Sequence, residues 1–128
     1  MKPVHLTHSH SNCAAVRELM DIVGSKWAML IVGMLAKRPQ RFSELKREIG
    51  DITQKSLTAT LRELEKDGIV KRTLTPVMPP RVDYALTALG VSLLEPVNAL
   101  AMWAVANHPA VEKARARFAA AGRLRKIG

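Results

Sequence analysis

Two short amphipathic patterns separated by a three-residue turn, between Arg41 and Gly68, constrain this chain more than any other feature. In RFSELKREIG the apolar residues Phe42, Leu45 and Ile49 fall on one face, and Glu44, Lys46, Arg47 and Glu48 point away. Gly50 then closes a helix of about two turns. After the turn DIT, Thr53 or Asp51 can cap TQKSLTATLRELEKDG, where Leu57, Leu61 and Leu64 repeat at i, i+4 and i+7 and Gly68 stands past the end. Neither helix can bury its stripe alone, and the turn is too short to separate them. The pair reads as a helix-turn-helix unit.

Immediately afterwards the period changes from 3.6 to 2. Val70, Arg72 and Leu74 alternate with Lys71, Thr73 and Thr75, and Val82, Tyr84 and Leu86 alternate with Arg81, Asp83 and Ala85. TPVMPP between them is too proline-rich for a sheet, so the segment is expected to be a two-stranded hairpin with a long tip, a wing. Upstream, Asn12 can cap a helix bearing Val16, Leu19, Met20 and Val23, ended by Gly24. A second helix is expected from Lys26, with Trp27, Leu30, Ile31, Met34 and Leu35 forming a broad core face before Pro39 stops it. Downstream, Thr87 caps a long helix carrying Leu89, Leu93, Val97, Leu100 and Ala104, kinked at Pro96. The expected class is mainly α (α+β): a winged helix-turn-helix domain over residues 12–108, preceded by a loose arm at 1–11 and followed by a basic, helical tail at 109–128.

At 128 residues the chain accommodates one module with one core. Aromatics are only 4%, so that core is built from aliphatic residues and Met. A net charge of +9 favours a polyanionic partner, nucleic acid being the commonest for a compact basic domain. The longest uninterrupted apolar run, Trp27 to Ala36, is too short to span a bilayer, and MKPVHLTHSHSN lacks the apolar stretch of a signal peptide. The expected location is cytoplasmic. No Ser/His/Asp grouping, paired carboxylate in an apolar setting or glycine-rich phosphate loop suggests an enzyme, and no cofactor is expected. His5, His8, His10 and Cys13 form a weak metal candidate without supporting carboxylates. Trp27 and Trp103 read as core and interface anchors.

The nucleic-acid chemistry gathers on the second helix of the pair. Gln54, Lys55, Ser56, Thr58 and Ala59, with Arg62 a turn on, flank or oppose the leucines near its capped N-terminus at Thr53. Polar side chains that reach base edges beside a small residue are what a recognition helix needs. An isolated polar helix face is usually mere solvation; a capped partner helix before it and a wing after it reverse that weighting. Glu63, Glu65 and Asp67 repel phosphate from the far end. Lys37, Arg38 and Arg41 precede the first helix and can clamp a phosphate, and Arg81 ends the wing tip. From Lys37 to Arg72 ten basic residues face six acidic ones, so charge alone is modest support there.

These residues bring a family into view. A Cys near the start, IVGSKWAMLIVGMLAKRPQRFSELKREIGDITQKSLTATLRELEKDGIVKRT and PPRVDYALTALG together closely resemble the HxlR-type winged-helix regulators, relatives of the MarR type, from about Cys13 to Trp103. The resemblance implies a homodimeric regulator of double-stranded DNA with N- and C-terminal dimerisation helices. It implies that Gln54, Lys55, Thr58 and Arg62 read DNA, that Arg81 serves the wing, and that Cys13 is a redox-sensing candidate open to a small-molecule or oxidant effector. The His-rich arm and the basic tail lie outside it. The competing readings are a winged-helix protein-interaction module, which would expose apolar groups where this helix is polar, and a metal or redox sensor without DNA binding.

Overall fold

The computed structural model describes residues 10–127, so His5 and His8 of the expected arm lie outside it. Its elements follow in the order α1 (His10–Val23), α2 (Ala28–Leu35), β1 (Gln40–Arg41), α3 (Phe42–Ile49), α4 (Gln54–Lys66), β2 (Val70–Thr75), β3 (Arg81–Leu86) and α5 (Ala88–Ile127). The chain divides into two compact units, one up to Leu94 and one from Glu95.

The first unit is organised by α2, whose Ala28, Ile31, Val32, Met34 and Leu35 are all buried. Around them close Leu45 of α3, Ile52 of the turn, Leu57, Leu61 and Leu64 of α4, and Ile69 and Val70 at the start of the wing. Both helices of the expected pair are present with the expected ends. Thr53 accepts a hydrogen bond from the Ser56 amide at 3.0 Å, and Gly50 and Gly68 take the positive φ (79° and 76°) that lets each helix stop within one residue. Ile52, 2% exposed, plugs the turn between them, and Lys46 donates to its carbonyl.

β2 and β3 pair antiparallel from Val70↔Leu86 to Thr75↔Arg81, the expected wing. The pairing puts Lys71, Thr73, Arg81, Asp83 and Ala85 on one face and Val70, Leu74, Val82, Tyr84 and Leu86 on the other. A third strand is not legible in the pattern: β1 pairs with β3 through Gln40↔Tyr84 and Arg41↔Asp83, giving the order β1-β3-β2. Two residues are too few to display alternation. The wing closes onto α5 through Thr87, whose backbone amide donates to Ile69 O at 3.1 Å while its side-chain oxygen accepts from Gly90 N at 3.0 Å. Thr87 is thus the expected cap.

Three expectations at helix ends change. α1 begins at His10, so Asn12 lies within its first turn and does not cap it. α2 begins at Ala28, because residues 24–27 form a turn in which Ser25 Oγ accepts from the Ala28 amide at 3.4 Å. α5 runs through Pro109 to Ile127, with no separate terminal helix. A proline interior to a helix costs about 3 kcal/mol, a penalty that the strong helix formers clustered around it, largely alanines, offset. α1 carries its apolar face as expected but buries none of it fully: Leu19 is 36% and Met20 48% exposed.

In the second unit nearly every α5 residue is exposed, including Leu100, Met102, Trp103 and Val105. One 18-residue stretch of α5 has mean hydropathy 1.5 and is long and apolar enough to cross a membrane by length and composition alone, although interspersed polar residues hide it from a search for unbroken apolar runs.

Candidate nucleic-acid interface

Projected around α4, the three buried leucines define the inner face, and Lys55, Ala59 and Arg62 form the ridge opposite it at helical spacing of four and three residues. Gln54 and Thr58 stand on one flank of this ridge. All five are exposed. Ser56 differs: it is half-buried, its amide is held by the cap and its carbonyl accepts from Thr60 Oγ1 at 2.7 Å. The Thr53 side chain accepts as the cap but keeps its own hydroxyl proton free to donate. Thr53, Gln54, Lys55, Thr58 and Ala59 around the first two turns, with Arg62 at the start of the third, therefore make one solvent-facing set, with Ser56 behind it.

Arg41 and Arg81 belong to a different place. They flank Asp83 on the outer face of the sheet, Arg41 as its cross-strand neighbour and Arg81 through Nε–Oδ contacts of 3.0 and 3.3 Å. Together they line a groove of about 840 Å³ whose other basic residues are Arg38, Arg47 and Lys71, with Glu44 and Asp83 as its acids. Sequence reasoning does not single out Arg47 and Lys71. Their signal is present, since Lys71 occupies an outward position of the period-2 pattern and Arg47 lies one turn beyond Glu44. Among the described residues neither makes an ion pair.

Glu44 organises the edge of this groove. Its carboxylate accepts from the Arg41 amide at 3.0 Å and from Arg38 Nη1 at 3.1 Å. The backbone hydrogen bond first, and the Arg38 guanidinium second, hold its carboxyl below the usual glutamate range. This is the reciprocal half of a capping box, and it orders the start of α3 with Arg38 and Arg41 on either side.

The opposite electrostatic character is found between α1 and the far half of α4. An open groove of about 830 Å³ there is bordered by Glu18, Asp21, Glu63 and Asp67, with Lys66 the one cation in its lining. The charge of α4 thus changes sign along its length, as its sequence indicates. Cys13 lies half-buried in the first turns of α1. Among the described residues no cluster of metal-ligating side chains occurs.

A capped, polar-ridged second helix, a partner helix across a tight turn and a basic hairpin define a winged helix-turn-helix protein. The HxlR-like helix-turn-helix family matches residues 22–112, and the chain belongs to that family of transcriptional regulators. It is 47% identical over 89 residues to the HTH-type transcriptional regulator BH0655 of Halalkalibacterium halodurans, covering 69% of this chain and 79% of that one. Its fold is similar to the redox regulator HypR in its reduced form (TM-score 0.70, 36% identity, 77% of this chain and 98% of that one). It is also similar to the reduced transcriptional regulator YodB from B. subtilis (TM-score 0.66, 33% identity, 77% and 92%).

Proposed function

We propose that the chain is a cytoplasmic, non-enzymatic regulator that binds an inverted-repeat operator as a homodimer and reads it with the first two turns of α4. The observation that carries this is the exposed set Gln54, Lys55, Thr58, Ala59 and Arg62 on a helix whose N-terminus is capped and whose acids are confined to its far end. Lys55 and Arg62 can donate to guanine, Gln54 can pair bidentately with adenine, and the Ala59 methyl keeps the ridge low enough for close approach to a base edge. Arg41, with Arg38 and Arg81 beside it, grips the flanking backbone. The dimer is supported by apolar surface that a small monomer leaves uncovered: Leu89 and Val91 in the first unit and Leu100, Met102 and Trp103 in the second.

The test is to select bound fragments from genomic DNA with the purified protein, then measure Lys55→Ala and Thr58→Ala on the recovered site. A base-contacting residue costs about 1–3 kcal/mol, and its loss relaxes preference at one position. Unchanged binding in both variants removes α4 as the reader. We further propose Cys13 as the oxidant-responsive thiol, supported by the likeness to the redox regulator HypR. Mild diamide treatment is then expected to weaken operator binding by wild type and not by Cys13→Ser; equal loss in both excludes Cys13.

A further inference from the structure

The charge of this protein is concentrated where its family match has ended. Residues 113–126 hold six Lys or Arg and no acid, and with Glu112 they supply +5 of the net +9. The HxlR-like match stops at residue 112, so neither α4 nor the wing accounts for this segment. It forms the last turns of α5, spanning about 21 Å at 1.5 Å per residue. Local propensity favours helix there, because Ala114, Ala116, Ala119, Ala120 and Ala121 are the strongest helix formers.

Three features distinguish this helix from an ordinary solvated one. Four of its cations are unneutralised: Arg115 pairs with Glu112 at 3.3 Å, but among the described residues Lys113, Arg117, Arg123 and Arg125 have no ion-pair partner. They are also exposed and spaced to point in several directions around the axis, with mostly alanine between them. Finally, Lys113 and Arg117 sit at i,i+4, where like charges destabilise a helix, whereas solubilising surfaces intersperse both signs. A polyanion alongside reverses that repulsion, and Ala114 and Ala116 between Lys113, Arg115 and Arg117 let phosphates come close there, whereas the exposed Phe118 and Leu124 stand among the later cations.

We propose that residues 113–126 are a second DNA-contacting element, a helix that binds the phosphate backbone without reading sequence and adds to the affinity of the α4 and wing contacts. Double-stranded DNA fits better than another polyanion because the same chain carries a DNA-reading helix, which makes the encounter intramolecular once α4 has docked. The proposal rests on the DNA-binding reading and adds a site to it. Its signature is electrostatic. Each phosphate neutralised steepens the dependence of log K on log salt by about 0.9, so three arginines engaged per chain contribute about 2–3 to the slope.

The experiment measures binding of the full-length protein to a labelled 40-base-pair duplex of mixed sequence over about 50–200 mM salt. Arg117→Gln/Arg123→Gln/Arg125→Gln is compared with Arg17→Gln/Lys26→Gln/Lys66→Gln, which removes equal charge from exposed positions elsewhere. A third variant, Arg117→Lys/Arg123→Lys/Arg125→Lys, keeps the charge and guards against a folding defect. The expected result is that the tail glutamines flatten the slope by about 2–3 for each chain engaged, about 5 for a dimer with both tails on the duplex, so that wild type loses about 40-fold more affinity per engaged tail than this variant across the range. The control triple moves the slope less, and the lysine triple retains it. Equal slopes for the tail and control glutamine variants overturn the proposal while leaving α4 in place. Wild type that binds no duplex at any of these salts overturns the DNA reading itself. Wild type that sediments with phosphatidylglycerol vesicles through these arginines, while its duplex slope is unmoved by their loss, makes the tail a lipid-binding element and likewise overturns the proposal.

Discussion

Gly90→Ala tests whether the junction between wing and α5 is as close as the structure has it. A Cβ placed on Gly90 would stand 2.2 Å from the Ile69 carbonyl oxygen and 3.2 Å from both the Ile69 carbonyl carbon and Leu86 Cδ2. The first distance is about 1 Å inside contact and involves backbone, which cannot swing aside as a side-chain tip can. The same Ile69 carbonyl accepts the Thr87 amide at 3.1 Å, so relieving the clash strains the bond that ties the start of α5 to the wing. Overpacking of this kind costs about 1–3 kcal/mol, and weakening the hydrogen bond adds about 0.5–1.5. Against this, alanine gains at most about 1 kcal/mol of helix propensity. The expected net is a destabilisation of about 0.5–3.5 kcal/mol, read as a lower urea midpoint with an unchanged m-value at fixed protein concentration. A variant as stable as wild type, or more so, would show that propensity dominates and refute the close junction.

Glu44→Gln is expected to destabilise the fold at neutral pH. Because the Glu44 carboxyl is held below its ordinary value, its contribution is complete above the usual glutamate range and disappears as pH falls through the lowered value, so the two proteins converge in acid; parallel denaturation curves at several pH values check this. Trp103→Ala, at a side chain 62% exposed, is expected to weaken self-association by about 30-fold or more, the roughly 2 kcal/mol of a buried aromatic anchor, in sedimentation equilibrium. A wild-type protein that stays monomeric at micromolar concentration contradicts the dimer. Lys71→Gln is expected to flatten the salt slope of duplex binding by about 0.9 for each phosphate it no longer neutralises and to lower affinity evenly across sequences, whereas Arg81→Gln changes it less because Asp83 already engages that guanidinium. The reverse ranking would place the backbone contact on the wing tip.

The parts of the fold legible in the sequence are those whose burial is one-sided. Leu57, Leu61 and Leu64 against Lys55, Ala59 and Arg62 permit one orientation of α4, and the switch to period 2 at Val70 permits one kind of element. The features that local pattern does not reveal are decided by partners distant in sequence. β1 exists because Tyr84 and Asp83 of β3 stand beside Gln40 and Arg41, and two residues carry no period. Gln40, 2% exposed with its amide nitrogen on Met34 O at 3.0 Å, is a buried polar side chain that composition assigns to the surface. The candidate site divides the same way. The α4 ridge is a local property of one helix, while Arg47 joins Lys71 and Arg81 only because the sheet brings strand and helix to one groove.

That division has a physical consequence on the proposed reading. Residues that face bases must sit on a rigid element, since a displacement of about 1 Å forfeits a hydrogen bond. α4 satisfies this through three leucines at most 1% exposed and a fixed cap. Residues that face phosphate need only charge within reach, because a long-range attraction tolerates displacement. Arg38, Arg47 and Lys71 accordingly extend flexible side chains around an open groove. Of these, Arg38 is tied to Glu44, and Arg81 on the wing is tied to Asp83. Both pairs are individually weak, so a phosphate can displace the carboxylate, but only against that attraction, and these two arginines contribute less than Lys71, which is unpaired among the described residues. In the absence of DNA the same carboxylates offset part of the positive charge gathered around the groove. The acids near the far end of α4 act on the other coordinate: Glu63, Glu65 and Asp67 make deep insertion of the whole helix unfavourable, leaving the N-terminal two turns as the segment whose sign matches the groove floor and walls of a duplex.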